Sequence, residues 1–290
     1  MVRYAKPGSV EEALALIGEG RWRVLAGGTD FYPALGAKPL TDNVLDINGL
    51  SELRGISETS THVVIGARTT WTDIVRAALP RAFDALKQAA REVGSVQIQN
   101  TGTIAGNICN ASPAADGVPA LMILDAEVEV ASAGARRHEP LETFIRGNRK
   151  IGLEPNEMVT AIRLPKASLA GASSFFKLGA RRYLVISIAM AAVRIAFGED
   201  GTVSEAAIAV GACSTVAKRL RGLERSLVGR DAASLAVEPP DERHFADLAP
   251  IDDVRGSAEY RHAAAREIVA RALAAAAGQA SDLAVKECAA

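Results

Sequence analysis

The chain has 290 residues, enough for one large domain or two compact ones. Its 33 Lys+Arg against 34 Asp+Glu leave a formal net charge of −1, without the basic excess that nucleic-acid binders carry. A hydrophobic fraction of 49% with 23% charged residues excludes disorder, and no apolar run approaches the roughly 20 residues of a membrane-spanning helix.

The first residues carry no apolar signal core, and the three cysteines, Cys109, Cys213 and Cys288, include no CxxC pair. Both features predict a reducing, cytoplasmic location. An iron–sulfur cluster normally takes four cysteine ligands, so this chain cannot hold one alone.

In chain order, the first predicted helix covers residues 9–18, opened by a capping box at Ser9 and Glu12 with Val10, Leu14 and Ile17 on one face. Strands are predicted at 22–26, 44–47 and 62–65. A helix opening at Thr70 must stop near Pro80, and 82–91 reads as another. Residues 94–117 are rich in Gly, Ser, Thr and Asn and lack periodicity. They read as a long ordered loop, packed through Ile98, Ile104 and Ile108. A helix at 119–124 and a strand at 127–130 follow. A boundary is expected around 165–172, with strands beyond it at 174–178, 187–197 and 203–210 and a helix over 258–277. Strands and helices come in runs without regular βαβ alternation, which predicts an α+β fold.

Three stretches could carry chemistry. The first is Val24-Leu25-Ala26-Gly27-Gly28-Thr29-Asp30-Phe31, a strand ending in a glycine pair. Glycines let the chain turn tightly, and successive N–H groups in such a turn suit a pyrophosphate. It matches neither standard nucleotide motif, and a plain β-turn is the alternative. The second includes Thr103-Ile104-Ala105-Gly106-Asn107 and continues through Asn110 to Asp116. Asp116 would repel a pyrophosphate, so it reads either as an acceptor for ribityl hydroxyls or a ring N–H, or as the cap of the next helix. In the third, residues 175–183, Lys177 follows an apolar strand and is a candidate partner for an anionic ring, whereas Arg181 and Arg182 read as a solvated strand end.

Other chemistry finds no support. The four histidines are scattered, no GxSxG elbow is present, and Cys109 reads as a packing residue. No catalytic residue and no metal ligand is assigned, and cofactor binding is favoured over acid–base catalysis.

AGGTD followed by Pro33, TGTIAGNICNASPAAD followed by Pro119, the strand ending Ile162-Arg163-Leu164-Pro165, FKLGARR, and residues 250–261 occur here in order. Together they resemble the FAD-binding medium subunit of the molybdenum hydroxylases, the xanthine dehydrogenase and carbon monoxide dehydrogenase group. The resemblance covers nearly the whole chain. It implies a two-lobed FAD domain of the vanillyl-alcohol-oxidase (PCMH) type, with lobes at 1–55 and 56–170, followed by a C-terminal α+β domain at 171–290. The two glycine stretches would hold the pyrophosphate and ribityl chain, and Asn110 and Asp116 would contact the ribityl–isoalloxazine part. Leu164 and Lys177 would lie beside the flavin ring.

The family works as heterotrimers, which implies an iron–sulfur small subunit with two [2Fe–2S] clusters and a large subunit carrying the molybdenum cofactor, expected as a dimer of heterotrimers. This chain would pass electrons through FAD to a terminal acceptor. No cysteine-rich insertion is present, which sets aside the branch resembling 4-hydroxybenzoyl-CoA reductase. Tyr183-Leu184-Val185 stands where some xanthine dehydrogenases have acidic residues, so the acceptor does not carry over from them. Two alternatives are a stand-alone flavoenzyme of the same superfamily and a structural subunit without flavin.

Overall fold

The computed structural model describes residues 2–237 and 239–288. The first lobe is a parallel sheet of β1 (Tyr4–Ala5), β2 (Trp22–Leu25) and β3 (Asn43–Asp46), in the order β1-β3-β2. Helix α1 (Val10–Glu19) joins the first two strands, and α2 (Phe31–Leu35) follows the glycine pair. Val10, Ala13, Leu14 and Ile17 recur at helical spacing and bury one face of α1 against Leu45 and Ile47.

The N-terminus of α1 departs from the expected capping box. Ser9 Oγ accepts from the Glu12 N–H at 3.2 Å, but the Glu12 carboxylate accepts from the N–H of Gly8. Both halves of a capping box occur instead at Thr70 and Asp73.

The second lobe begins with β4 (Ile56–Glu58) and β5 (His62–Gly66). It continues through β6 (Glu127–Ala131), β7 (Arg136–Pro140), the hairpin β8 (Ile145–Gly147) and β9 (Lys150–Ile151), and β10 (Met158–Pro165). Five of these strands form an antiparallel sheet in the order β4-β5-β10-β6-β7. The helical layer inserted between β5 and β6 comprises α3 (Trp71–Arg76), α4 (Asp84–Glu92), α5 (Val96–Thr101), α6 (Ile104–Asn110) and α7 (Gly117–Met122). A short α8 (Leu141–Phe144) precedes the hairpin.

Here the expected long loop at 94–117 is corrected. Most of it is helix, in two pieces of six and seven residues that begin at the caps Ser95 and Thr103. Each is under two turns, too short to show a 3.6-residue period in the sequence.

The C-terminal region is an antiparallel sheet of β11 (Ala172–Leu178), β12 (Ala189–Phe197), β13 (Val203–Gly211) and β14 (Lys218–Arg219), in that order. Helices α9 (Arg221–Leu227), α10 (Ala232–Val237) and α11 (Ala258–Cys288) accompany it, and α11 packs along β11 and β12. Alternate residues of β12 enter different cores. Ala189, Ala191, Val193 and Ile195 join the α11 side, whereas Met190 and Ala192 join the core of the second lobe. A strand covered on both faces reads as a near-continuous apolar run, and β12 is apolar throughout except for Arg194.

Two buried arginines reinforce that junction. Arg194 donates to Ile123 O at 3.0 Å, and Arg219 donates to Met122 O at 2.8 Å and to Asp125 at 2.9 Å. Both cations sit on the carbonyl end of α7, where the helix dipole is negative. The sheet therefore grips the helix whose other end carries Asp116.

Candidate functional site

A cavity of about 1110 Å³ opens between the first lobe and the helical layer. Its wall includes the glycine turn after β2, the start of α6, and the segment from Leu153 to Val159.

The glycine turn is shaped by close approach. A Cβ at Gly27 would lie 1.8 Å from Thr101 O, so no other residue fits against the end of α5. Gly28 takes φ +75°, the left-handed region that glycine enters at no steric cost. Among the described residues, the N–H groups of Gly27, Gly28, Thr29 and Asp30 have no backbone acceptor. Four adjacent unpaired N–H groups on a cavity wall form a ready anion site.

The second stretch differs. The N–H of Ile104 donates to Thr69 O, that of Ala105 to Ala67 O, and that of Gly106 to Thr103 Oγ1. Its backbone donors are largely taken, so it contributes side chains and close backbone approach. Asn107 borders the cavity, and its Oδ1 is buried without a partner. A buried unpaired acceptor is costly, and a ligand donor would satisfy it. The two stretches meet where Asn110 Nδ2 donates to Asp30 Oδ1 at 2.9 Å.

The structure thus brings Val24, Ala26, Gly27, Gly28, Thr29, Asp30 and Phe31 onto one wall together with Thr103, Ala105, Gly106, Asn107 and Asn110. Leu25 and Ile104 point into the core. Leu164 is fully buried on β10, and Asp116 and Lys177 lie behind the wall. Gly117, next to Asp116, packs directly against the Trp71 ring and Asn107, and both of those residues border the cavity.

Asp116 makes no capping bond to α7. Its carboxylate accepts from Lys177 Nζ at 2.7 Å and from Ser187 Oγ at 2.6 Å. Burial pushes this carboxyl above its ordinary value, against the opposing pull of Lys177 and Ser187. Cys109 also borders the cavity, but burial pushes its thiol up to about 12, so it offers no thiolate at neutral pH.

Sequence reasoning missed Asp46 and Asn48. Asn48 Nδ2 donates to Ala26 O at 2.8 Å, at the first residue of the glycine turn. Its only sequence signal is an ordinary Asp-x-Asn turn, and its partner lies 22 residues away. The Leu153–Val159 segment was also missed, because it contributes to the wall by position and not by a motif.

Among the described residues no group of three or more His, Cys, Asp or Glu side chains could hold a metal, and no helix is long and apolar enough to cross a membrane. A two-lobed α+β fold with unpaired turn amides on a cavity of this size fits a protein that binds a dinucleotide. Residues 1–167 match the FAD binding domain in molybdopterin dehydrogenase, and residues 174–276 match the CO dehydrogenase flavoprotein C-terminal domain.

The chain is 34% identical to the carbon monoxide dehydrogenase medium chain of Hydrogenophaga pseudoflava, over 93% of this chain and 95% of that one. It is 29% identical to a xanthine dehydrogenase FAD-binding subunit of Escherichia coli, over 95% and 97%. The solved carbon monoxide dehydrogenase of Hydrogenophaga pseudoflava superposes with a TM-score of 0.85 at 31% identity, covering 96% of this chain and 98% of that chain. The chain belongs to the FAD-binding medium subunits of the molybdenum hydroxylases, and it is an oxidoreductase subunit.

Proposed function

We propose that this chain is the electron-transferring FAD subunit of a heterotrimeric molybdenum hydroxylase. Its partners are an iron–sulfur subunit with two [2Fe–2S] clusters and a molybdenum subunit, assembled as a dimer of heterotrimers in the cytoplasm. FAD, when bound, supplies a centre that takes up electrons from the clusters and releases them to a terminal acceptor. The observation that carries this reading is the row of unpaired N–H groups at Gly27–Asp30 on the wall of a cavity of about 1110 Å³, in a chain matched over 93% of its length by a medium subunit.

In this reading the residues hold, orient and shield. Gly27, Gly28, Thr29 and Asp30 donate their N–H groups to the pyrophosphate, and Asn107 accepts from the ribityl chain. Val24, Leu25, Ala26 and Phe31 carry the first turn, and Thr103, Ile104, Ala105 and Gly106 carry the second. Asn110 joins the two turns through Asp30. Leu164, fully buried on β10, would back the flavin ring from within the second lobe. Asp116 keeps Lys177 in place behind the wall, and from there that ammonium would stabilise negative charge on a reduced flavin ring. The units 1–55 and 56–170 form the two lobes, and 171–290 backs them.

The test is the visible spectrum of the complex purified natively through a tag on this chain. Flavin bands with broad iron–sulfur absorption and two further polypeptides are expected. Flavin bands from a lone chain would overturn the electron-transfer reading in favour of a stand-alone flavoenzyme.

A further inference from the structure

The glycine pair that admits a ligand to the backbone also leaves that backbone free to turn. The Gly28–Thr29 plane is held by α2, where the Tyr32 N–H donates to Gly28 O, but the freedom of glycine in φ leaves the Ala26–Gly27 plane to be fixed by another contact. An anion site built from N–H groups needs those planes fixed before the ligand arrives. The element that fixes the Ala26–Gly27 plane follows the neighbouring strand.

Asp46 closes β3 and caps the tight turn that follows, and Asn48 sits on that turn. Asp46 Oδ1 accepts from the Asn48 N–H at 2.8 Å and from its Nδ2 at 2.9 Å, and Asp46 Oδ2 accepts from Tyr4 Oη at 2.6 Å. Both neighbours of the Asn48 side-chain amide, the Asp46 carboxylate and Ala26 O, are acceptors. The NH₂ group must therefore face them, and the amide has one possible orientation. Burial works to raise the Asp46 carboxyl, but the bonds from Tyr4 and Asn48 outweigh it and hold the group below its ordinary range. It stays an ionised, acceptor-only anchor at neutral pH.

The consequence falls on the Ala26–Gly27 peptide. All described peptide bonds are trans, so the carbonyl and N–H of one plane point in opposite directions. With Ala26 O held against Asn48, the Gly27 N–H is turned to the opposite side. That N–H is the first of the four without a backbone acceptor.

We propose that Asn48, anchored by Asp46 and Tyr4, is a positioning residue for the pyrophosphate of the flavin, presetting the Ala26–Gly27 peptide so that the Gly27 N–H meets the anion without rearrangement. This rests on the reading of Gly27–Asp30 as the pyrophosphate site. Asn48 touches the ligand through no atom of its own and acts only through Ala26 O.

The experiment uses the full chain loaded with FAD. It reads the two ³¹P resonances of the bound pyrophosphate together with the FAD dissociation constant. Asn48→Ala removes both side-chain bonds, and Asn48→Asp keeps the shape but sets a carboxylate against Ala26 O. Each is expected to move the ³¹P resonances and to weaken FAD about tenfold, the worth of one preset hydrogen bond. Tyr4→Phe, at an exposed tyrosine, is expected to give a smaller change of the same sign, and it serves if the Asn48 variants do not fold. Wild-type resonances and affinity in every variant that folds would overturn the inference. A wild-type chain that binds FAD with free-ligand ³¹P shifts would instead overturn the pyrophosphate site on which the inference rests.

Discussion

Asn110 donates its side-chain amide to Asp30 Oδ1 across 2.9 Å, joining residues 80 apart in the chain. Each sits on the wall of the cavity, one after the glycine pair and one at the end of α6. The backbone of the same corner is held from the far side, where the Arg149 N–H donates to Ala111 O and the Arg149 side chain to Asn110 O. This corner sets the distance between the two stretches that flank the cavity.

Breaking that contact should loosen the cofactor without unfolding the protein. The bond is solvent-exposed, so Asp30→Ala and Asn110→Ala are each expected to weaken FAD by about three- to tenfold, the lower part of the range for a hydrogen bond. The double variant should be no worse than the poorer single variant, because both remove one interaction. Fluorescence of released flavin on dilution measures all three.

The two glycines of the first turn should not respond alike. Gly27→Ala places a methyl group 1.8 Å from Thr101 O, and a backbone atom cannot swing aside. Gly28→Ala meets the Tyr32 ring at 2.7 Å, but Tyr32 is 61% exposed and free to rotate away. What remains at Gly28 is the cost of φ +75°, about 1–2 kcal/mol. Flavin content after purification should therefore be lost in Gly27→Ala and only reduced in Gly28→Ala.

How these features show in a sequence depends on their range. The glycine pair at 27–28 and the small-residue stretch through Asn107 are legible because an unusual backbone demands unusual residues. The apolar run of β12 is legible because both faces are covered. Helices α5 and α6 were hidden by their length and by polar, small residues of modest helix propensity. Asn48 was hidden for another reason, since its role exists only once β2 and β3 are paired side by side. The partner of Asp116 was equally invisible, because Lys177 reaches it from a strand 61 residues on.

The Asp116–Lys177 pair should behave as a coupled buried unit. Lys177→Met leaves a carboxylate in a desolvated site and is expected to cost about 3–5 kcal/mol at neutral pH by urea unfolding. Pairing it with Asp116→Leu should recover most of that loss. The sign with pH follows from the raised folded value of Asp116. A raised acid contributes stability below its unfolded pKa and loses that contribution as pH rises through the folded one. Removing Lys177 raises the folded value further, so the gap between wild type and Lys177→Met should widen as pH increases from the ordinary carboxylate range.

Asp46 has the opposite sign. Its folded value is lowered, so its contribution is present above the ordinary carboxylate pKa and lost as pH falls through the folded one. The stability difference between wild type and Asp46→Asn should be constant near neutrality and shrink in acid, below about pH 4. Urea midpoints across that range measure it. A difference that grows in acid would show that Asp46 is not held ionised by Tyr4 and Asn48.

The most direct test of the whole account is an experimental structure of the chain purified with its flavin. The account predicts pyrophosphate oxygens within hydrogen-bonding distance of the N–H groups of Gly27 to Asp30, with the ribityl chain against Asn107. FAD bound outside this cavity, or held with those four N–H groups uncontacted, would contradict it.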